Sequence, residues 1–107
     1  MKIIYNKLIP FKGFTAINLF GVIFAREGVH IDYITLQHER IHTEQMKELG
    51  YILFYVWYLL EWIVKLFRYG KNSYRNISFE REAYADQAEL FYMRNRKRYS
   101  FIKYLLR

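Results

Sequence analysis

The sequence predicts an α+β fold with short strands first and helices after them. Residues 3–9 and 16–25 are short runs rich in isoleucine, valine and phenylalanine, a composition that favours β-strands. Later in the chain, the apolar residues of 34–49 recur with helical spacing. A chain of 107 residues has room for one hydrophobic core, so residues 1–107 are predicted to form a single domain.

The predicted strands are separated by Pro10 and Gly13, which interrupt regular structure. The second run, residues 16–25, is apolar on both faces and is predicted to be one strand covered on both sides. Residues 26–28 predict a turn. Residues 29–31 are then expected to pair back as a third short strand.

Three to four helices are predicted to follow the strands. Asp32 and Thr35 are both suitable N-cap residues for a first long helix, which runs to about Leu49. Gly50 predicts a break in the chain. An aromatic-rich second helix is then expected over about residues 51–68.

Residues 69–73 are predicted to form a loop between the second and third helices. Ser78 is a plausible N-cap for the third helix, over about residues 79–94. Acidic residues in its first turn suit the positive end of the helix dipole. A last helical segment is expected over about residues 100–106.

The net charge of +7 is concentrated in the second half of the chain. Residues 1–50 carry a net charge of +1 and residues 51–107 carry +6. Such a basic end is most simply a solvated surface, but it also fits nucleic acid or an anionic membrane. In the nucleic-acid alternative, Tyr92 and Tyr99 would add base stacking. The last fifteen residues contain no acid and six cations, which are Arg94, Arg96, Lys97, Arg98, Lys103 and Arg107.

The absence of cysteine excludes disulfide frameworks, cysteine nucleophiles and cysteine-based metal sites. Residues 1–7 lack the apolar core and the small-residue cleavage site of a secretory signal. The sequence therefore predicts a cytoplasmic protein.

Residues 51–67 are the most apolar stretch, and Glu61 and Lys65 interrupt it at helical spacing. This pattern predicts a core helix with a polar edge facing water. The alternative is a helix that lies on a membrane surface, with Lys65, Arg68 and Lys71 at its rim.

Residues 38–42 read His-Glu-Arg-Ile-His, an HExxH motif on the first predicted helix. Residues four positions apart point the same way, so His38 and His42 are placed to reach one metal ion. Zinc accepts neutral imidazole nitrogen. Glu39 is rotated by about 100° from His38 and is predicted to act as a general base rather than as a ligand.

A catalytic zinc site needs three protein ligands and an open position. Glu80 is preferred as the third ligand because it shares a helix face with small and aromatic residues. A plain N-terminal helix acid is the alternative interpretation of Glu80. Glu82 and Asp86 are predicted to belong to a solvated acidic stripe, and Glu61 is explained as the partner of Lys65. The full set of candidates from which Glu80 is preferred is His30, Glu61, Glu80, Glu82 and Asp86.

The motif HERIH at 38–42 and the segment EREAY, which begins 38 residues after His42, together resemble the gluzincin metallopeptidases. That group pairs an HExxH helix with a glutamate ligand on a second helix, commonly within E-x-x-x-D. The longer pattern, HERIHTEQ followed by an aromatic helix and YRNISFEREAY, also resembles a group of small uncharacterised bacterial proteins. About fifteen residues carry the gluzincin resemblance.

The resemblance implies a zincin-like minimal domain that hydrolyses peptide bonds with a zinc-activated water. It makes His38, His42 and Glu80 the zinc ligands and Glu39 the general base and acid. It also implies that the strand within 16–25 binds a peptide or protein substrate as an added strand, although an ordinary core strand is an equal alternative.

The chain departs from the gluzincin pattern at Tyr84, which stands where E-x-x-x-D has an aspartate that orients a ligand histidine. The residue that stabilises the transition state is left open among Tyr74, Tyr84, His30 and Arg81. The alternative to a peptidase is a non-catalytic metal-binding module, or a basic module for nucleic acid or an anionic membrane surface.

Overall fold

The computed structural model describes residues 2–10 and 15–105 and confirms the α+β class. The predicted break at Gly13 and the end of the predicted segment 100–106 lie outside the described residues. The strands and helices in chain order are β1 (Ile3–Asn6), β2 (Ala16–Leu19), β3 (Val22–Arg26), α1 (Tyr33–Glu48), α2 (Ile52–Tyr69), α3 (Ser78–Asp86) and α4 (Tyr92–Asn95). Short 3-10 helices cover Gly70–Asn72, Tyr74–Asn76 and Ser100–Tyr104.

The strands form a sheet in the order β1-β3-β2, in which β3 is parallel to β1 and antiparallel to β2. The prediction of one strand over 16–25 was wrong, because a hairpin turn at Phe20 and Gly21 divides it. Both turn residues have positive φ, 53° and 89°, as a two-residue hairpin turn requires. The apolar run conceals this turn, since phenylalanine is not a typical turn residue.

The prediction of a strand at residues 29–31 was also wrong, since these residues are irregular. The reason is that β3 is paired on both sides, so a segment that follows it by a tight turn finds no free edge. The predicted cap of α1 is confirmed at Asp32, whose Oδ1 accepts a hydrogen bond from the Thr35 N–H at 2.7 Å.

Asn18 holds β2, an edge strand of the sheet, against α1. Its Nδ2 donates to the Glu39 carbonyl and to Thr43 Oγ1, both at 2.9 Å. The Oδ1 atom of Asn18 accepts from the Gly21 N–H in the hairpin turn. The strand therefore lies beside the part of α1 that carries the HExxH motif.

The predicted helix 79–94 is two helices, and Ser78 is the first residue of α3 rather than its cap. A residue of α2 satisfies the start of α3, because the Ser78 N–H donates to Glu61 Oε1 at 2.6 Å. The chain turns after Asp86, where Gln37 Nε2 donates to the carbonyls of Asp86 and Glu89. These partners come from other helices, which local periodicity does not reveal.

α2 turns toward the protein interior the face that was predicted to face water. Glu61 and Lys65 are 3.4 Å apart, as their spacing predicts, but both are buried. Lys65 Nζ donates to the carbonyls of Asn76 and Leu105, while Glu61 holds the start of α3. The prediction of a polar edge facing water was wrong because these backbone groups need buried partners.

Two apolar clusters lie between the helices, and the chain bends sharply between α1 and α2. None of the described helices is by itself long and apolar enough to cross a membrane. α1 and the helical stretch that ends at Asn72 meet that criterion only as a pair, and they are bent by 110° across the break at residues 49–51. The larger cluster contains Met46, Phe54, Ile77, Phe79 and Phe101, and the smaller contains Ile41, Ala83 and Tyr92.

Candidate metal centre

His38, His42 and Glu80 meet in the interior where α1 faces α3, and all three are buried. Glu80 Oε1 lies 3.2 Å from His38 Nε2 and 3.1 Å from His42 Nε2. The two Nε2 atoms are 3.1 Å apart. Two side chains of α1 and one of α3 thus present three possible ligand atoms to one point, and this group could hold a metal ion. We call His38, His42 and Glu80 the donor triad.

Two glutamines orient the histidine rings. Gln87 Oε1 lies 2.8 Å from His38 Nδ1, and Gln45 Oε1 lies 2.8 Å from His42 Nδ1. An amide oxygen only accepts hydrogen bonds, so both Nδ1 atoms carry the proton. In the neutral ring, which is the form that binds a metal, each Nε2 atom then directs its lone pair at the shared point.

Tyr58 orients the carboxylate of Glu80 by donating a hydrogen bond to Oε2 at 2.8 Å, which leaves Oε1 for the shared point. Burial raises the pKa of Tyr58, so its hydroxyl stays protonated and donates. Burial alone would raise the pKa of Glu80, but His42, His38 and Tyr58 hold it well below its ordinary value. Glu80 is therefore an ionised carboxylate.

The donor atoms fit a tetrahedral metal ion. With ligand distances of about 2.0–2.1 Å, two ligand atoms of tetrahedral zinc lie about 3.3 Å apart. The three separations here are 3.1–3.2 Å. Two imidazole nitrogens and one carboxylate oxygen also match the donor set of three-ligand sites that keep an open position. One metal ion would bind all three lone pairs at once.

The centre opens into a cavity of about 440 Å³ between α1, α2 and β2. Glu39 lines this cavity and is half-buried, and burial raises the pKa of its carboxyl despite the nearby histidines. The lining residues are Pro10, Ala16, Ile17, Asn18, Leu19, His38, Glu39, His42, Met46, Phe54, Tyr55, Tyr58, Tyr74 and Glu80.

The structure gives the other candidate ligands different roles. His30 is exposed and lies outside the donor triad, and Glu61 binds the first N–H of α3. Asp86 is buried and accepts a hydrogen bond from the Tyr104 hydroxyl at 3.0 Å. Glu82 is 0% exposed. The prediction that Glu82 and Asp86 belong to a solvated stripe was therefore wrong.

Glu82 belongs to a buried ionic network behind His42. Arg96 donates to both oxygens of Glu82, at 2.6 and 3.1 Å, and to both oxygens of Glu48, at 2.7 and 3.1 Å. Gln45 Nε2 joins this network to the metal centre through a 3.0 Å bond to Glu82 Oε1. Tyr92 also donates to Glu82. Arg96 and Tyr92 are thus buried and are not available to a nucleic acid.

Tyr84 does not take over the orienting role of the expected aspartate. Its ring packs edge-on against His38 at 4.6 Å between centroids, and its hydroxyl lies 3.4 Å from that of Tyr74. Gln87, one turn later on the same helical face, supplies the hydrogen bond to His38 instead. A helical wheel places Gln87 on the same face as Glu80, so its position near the site could be predicted from the sequence. Its hydrogen bond to His38 could not.

No protein-family model, curated protein or solved structure matches the chain. The resemblance to gluzincins therefore stays a prediction.

Metal binding is expected to release a proton from His42. Burial lowers the pKa of this ring, but Glu80, Glu39 and Gln45 together outweigh burial and raise the pKa to about 9. At pH 7 the metal-free ring is thus protonated, and apparent metal affinity should rise about tenfold per pH unit up to about pH 9. Titration calorimetry with zinc in two buffers of different ionisation enthalpy measures the release. About one proton per ion is expected, and no release would contradict the pairing.

Proposed function

We propose that this chain is a zinc-dependent metallopeptidase in which His38, His42 and Glu80 hold the ion and Glu39 transfers the proton. The observation that carries the proposal is the position of the donor triad beside Glu39 in one cavity. When bound, zinc would polarise the scissile carbonyl and lower the pKa of the attacking water.

Glu39 would accept the proton of the attacking water and pass it to the leaving amine. The burial that raises its pKa suits this role, because a proton carrier works best when its pKa lies near the operating pH. Its position next to His38 in sequence turns it away from the donor triad and toward the cavity. The backbone of the same turn is held by Asn18, which ties Glu39 to β2.

β2 would bind the substrate backbone as an added strand. It is an edge strand, and all four of its residues, 16–19, line the cavity with Glu39. An edge strand offers free N–H and C=O groups that pair with an extended peptide. Main-chain pairing of this kind gives affinity for peptides, while the apolar side chains of Ile17 and Leu19 favour apolar substrate residues.

Tyr74 is the best-placed donor to the oxygen that becomes negative in the transition state. It lines the cavity, and burial raises the pKa of its hydroxyl, so it remains a donor. Arg81 instead binds the Tyr104 carbonyl and Asn76. Tyr74→Phe is expected to lower kcat about 10²-fold at unchanged zinc content. Steady-state kinetics with a fluorogenic peptide measure this loss, and an unchanged kcat would remove Tyr74 from the role.

The proposal is tested by incubating the full chain with a mixed fluorogenic peptide library, with one equivalent of zinc and after chelation. Cleavage that requires zinc is expected. An alternative function, a non-catalytic metal-binding module, shares the donor triad but predicts bound zinc and no cleavage of any library member. Cleavage that survives chelation would contradict the proposal.

A further inference from the structure

α2 exposes a broad apolar face that nothing else in the described chain covers. Because Glu61 and Lys65 point inward, all the exposed positions between 52 and 67 are apolar. Phe67 is 89% exposed and Val64 is 66% exposed. The members of this face are Ile52, Leu53, Val56, Leu59, Leu60, Trp62, Ile63, Val64, Leu66 and Phe67.

The apolar face is larger than a monomer normally presents to water. At roughly 200 Å² for a large side chain, ten half-exposed side chains amount to roughly 1,000 Å². Contiguous apolar patches on monomers rarely exceed a few hundred Å² and otherwise mark an interaction surface. At 1.5 Å per residue, the face runs for about 24 Å along the helix.

The exposed charge of the second half of the chain is mostly positive because four of its five acids are buried. Glu61, Glu80, Glu82 and Asp86 are all buried, so Glu89 is the one exposed acid among residues 51–105. The exposed cations of this half are Arg68, Lys71, Arg75, Arg94, Lys97, Arg98 and Lys103. We call the three that lie on or next to α2, which are Arg68, Lys71 and Lys103, the cationic rim.

The cationic rim borders α2. Arg68 and Lys71 follow directly on the apolar face at the end of the helix. The segment that carries Lys103 packs beside α2, where the Trp57 and Phe101 ring centroids are 5.4 Å apart. Lys65 Nζ also donates to the Leu105 carbonyl. Exposed cations thus continue from the end of the apolar face and lie on a segment that packs against α2.

We propose that α2 lies in the surface of an anionic lipid bilayer, with its apolar face among the acyl chains and the cationic rim against the headgroups. An apolar helix face with adjacent Lys and Arg is what binds such surfaces. A second copy of the chain would bring two cationic rims and two net charges of +7 together, which disfavours self-association through this face. The proposal does not depend on the metal centre.

Flotation with lipid vesicles tests the proposal. The full chain is expected to float with phosphatidylcholine vesicles containing phosphatidylglycerol, and at least tenfold more weakly with phosphatidylcholine alone. Val64→Ser/Phe67→Ser should weaken binding at least tenfold with little effect on folding, since both side chains are exposed. Leu90→Ser is the matched control, because Leu90 is 65% exposed but lies outside α2.

Tryptophan fluorescence gives a second readout, because the two tryptophans of the chain, Trp57 and Trp62, both lie in α2. Brominated lipids should quench the emission of the wild type, and Trp62→Phe should remove most of that quenching because Trp62 is on the exposed face. Failure of the wild type to float, or equal flotation of the double variant, would overturn the proposal. A dimer in light scattering that the double variant dissociates would also overturn it.

Discussion

Glu39→Gln is expected to lower kcat/KM for peptide hydrolysis about 10³-fold while the zinc content stays at about one ion per chain. Glutamine keeps the shape of the side chain but cannot accept the proton of the attacking water. General base and acid catalysis contributes about 10²–10⁴-fold, and Glu39 would serve both steps. The metal stays because Glu39 is not a member of the donor triad.

The matched control for Glu39→Gln is Glu44→Gln. Glu44 lies on the same helix, pairs with Lys47 near the surface and does not line the cavity beside Glu39. Its kcat/KM should equal that of the wild type. Steady-state kinetics and elemental analysis on the same preparations separate a loss of catalysis from a loss of zinc. Equal activity of Glu39→Gln and the wild type would contradict the assigned role.

Arg96→Met is expected to lower the free energy of unfolding by about 3–5 kcal/mol. Arg96 is the cation between the buried carboxylates of Glu82 and Glu48 and binds both through two hydrogen bonds each. Methionine fills similar space but leaves two buried negative charges without a partner. Because the network reaches His42 through Gln45, weaker zinc binding is also expected.

Urea unfolding followed by tryptophan fluorescence measures this loss, with Arg94→Met as the control. Arg94 is exposed and should change stability by no more than about 0.5 kcal/mol. The double variant Glu82→Gln/Arg96→Met should recover part of the loss, since it removes one of the unpaired charges. Equal stability of Arg96→Met and the wild type would show that the network does not stabilise the fold.

Local sequence patterns predict the three candidate metal ligands because those patterns are helical. The spacing of His38 and His42 fixes their shared direction, and the helical wheel separates Glu80 from Glu82. The structure brings these three predicted ligands together. The same local reasoning finds the cap at Asp32, since a cap and its N–H partner lie within one turn.

The supporting residues of the site are not predictable in this way, because their partners lie far away in sequence. Gln87 binds a ring 49 residues earlier, and Arg96 binds Glu48 across 48 residues. The orientation of α2 is another case. The spacing of its residues predicts that α2 buries its apolar side. Instead, Lys65 and Glu61 are buried because Lys65 donates to the Asn76 carbonyl and Glu61 accepts from the Ser78 N–H.

The most direct test of the metal centre is the zinc content of the full chain, purified without added metal and then offered one equivalent. About one zinc per wild-type chain is expected, and Glu89→Ala, at an exposed acid outside the donor triad, should match it. His38→Ala and Glu80→Ala should each lose the ion. Wild-type protein that binds no zinc, or Glu80→Ala that retains it, would contradict the assignment of these ligands.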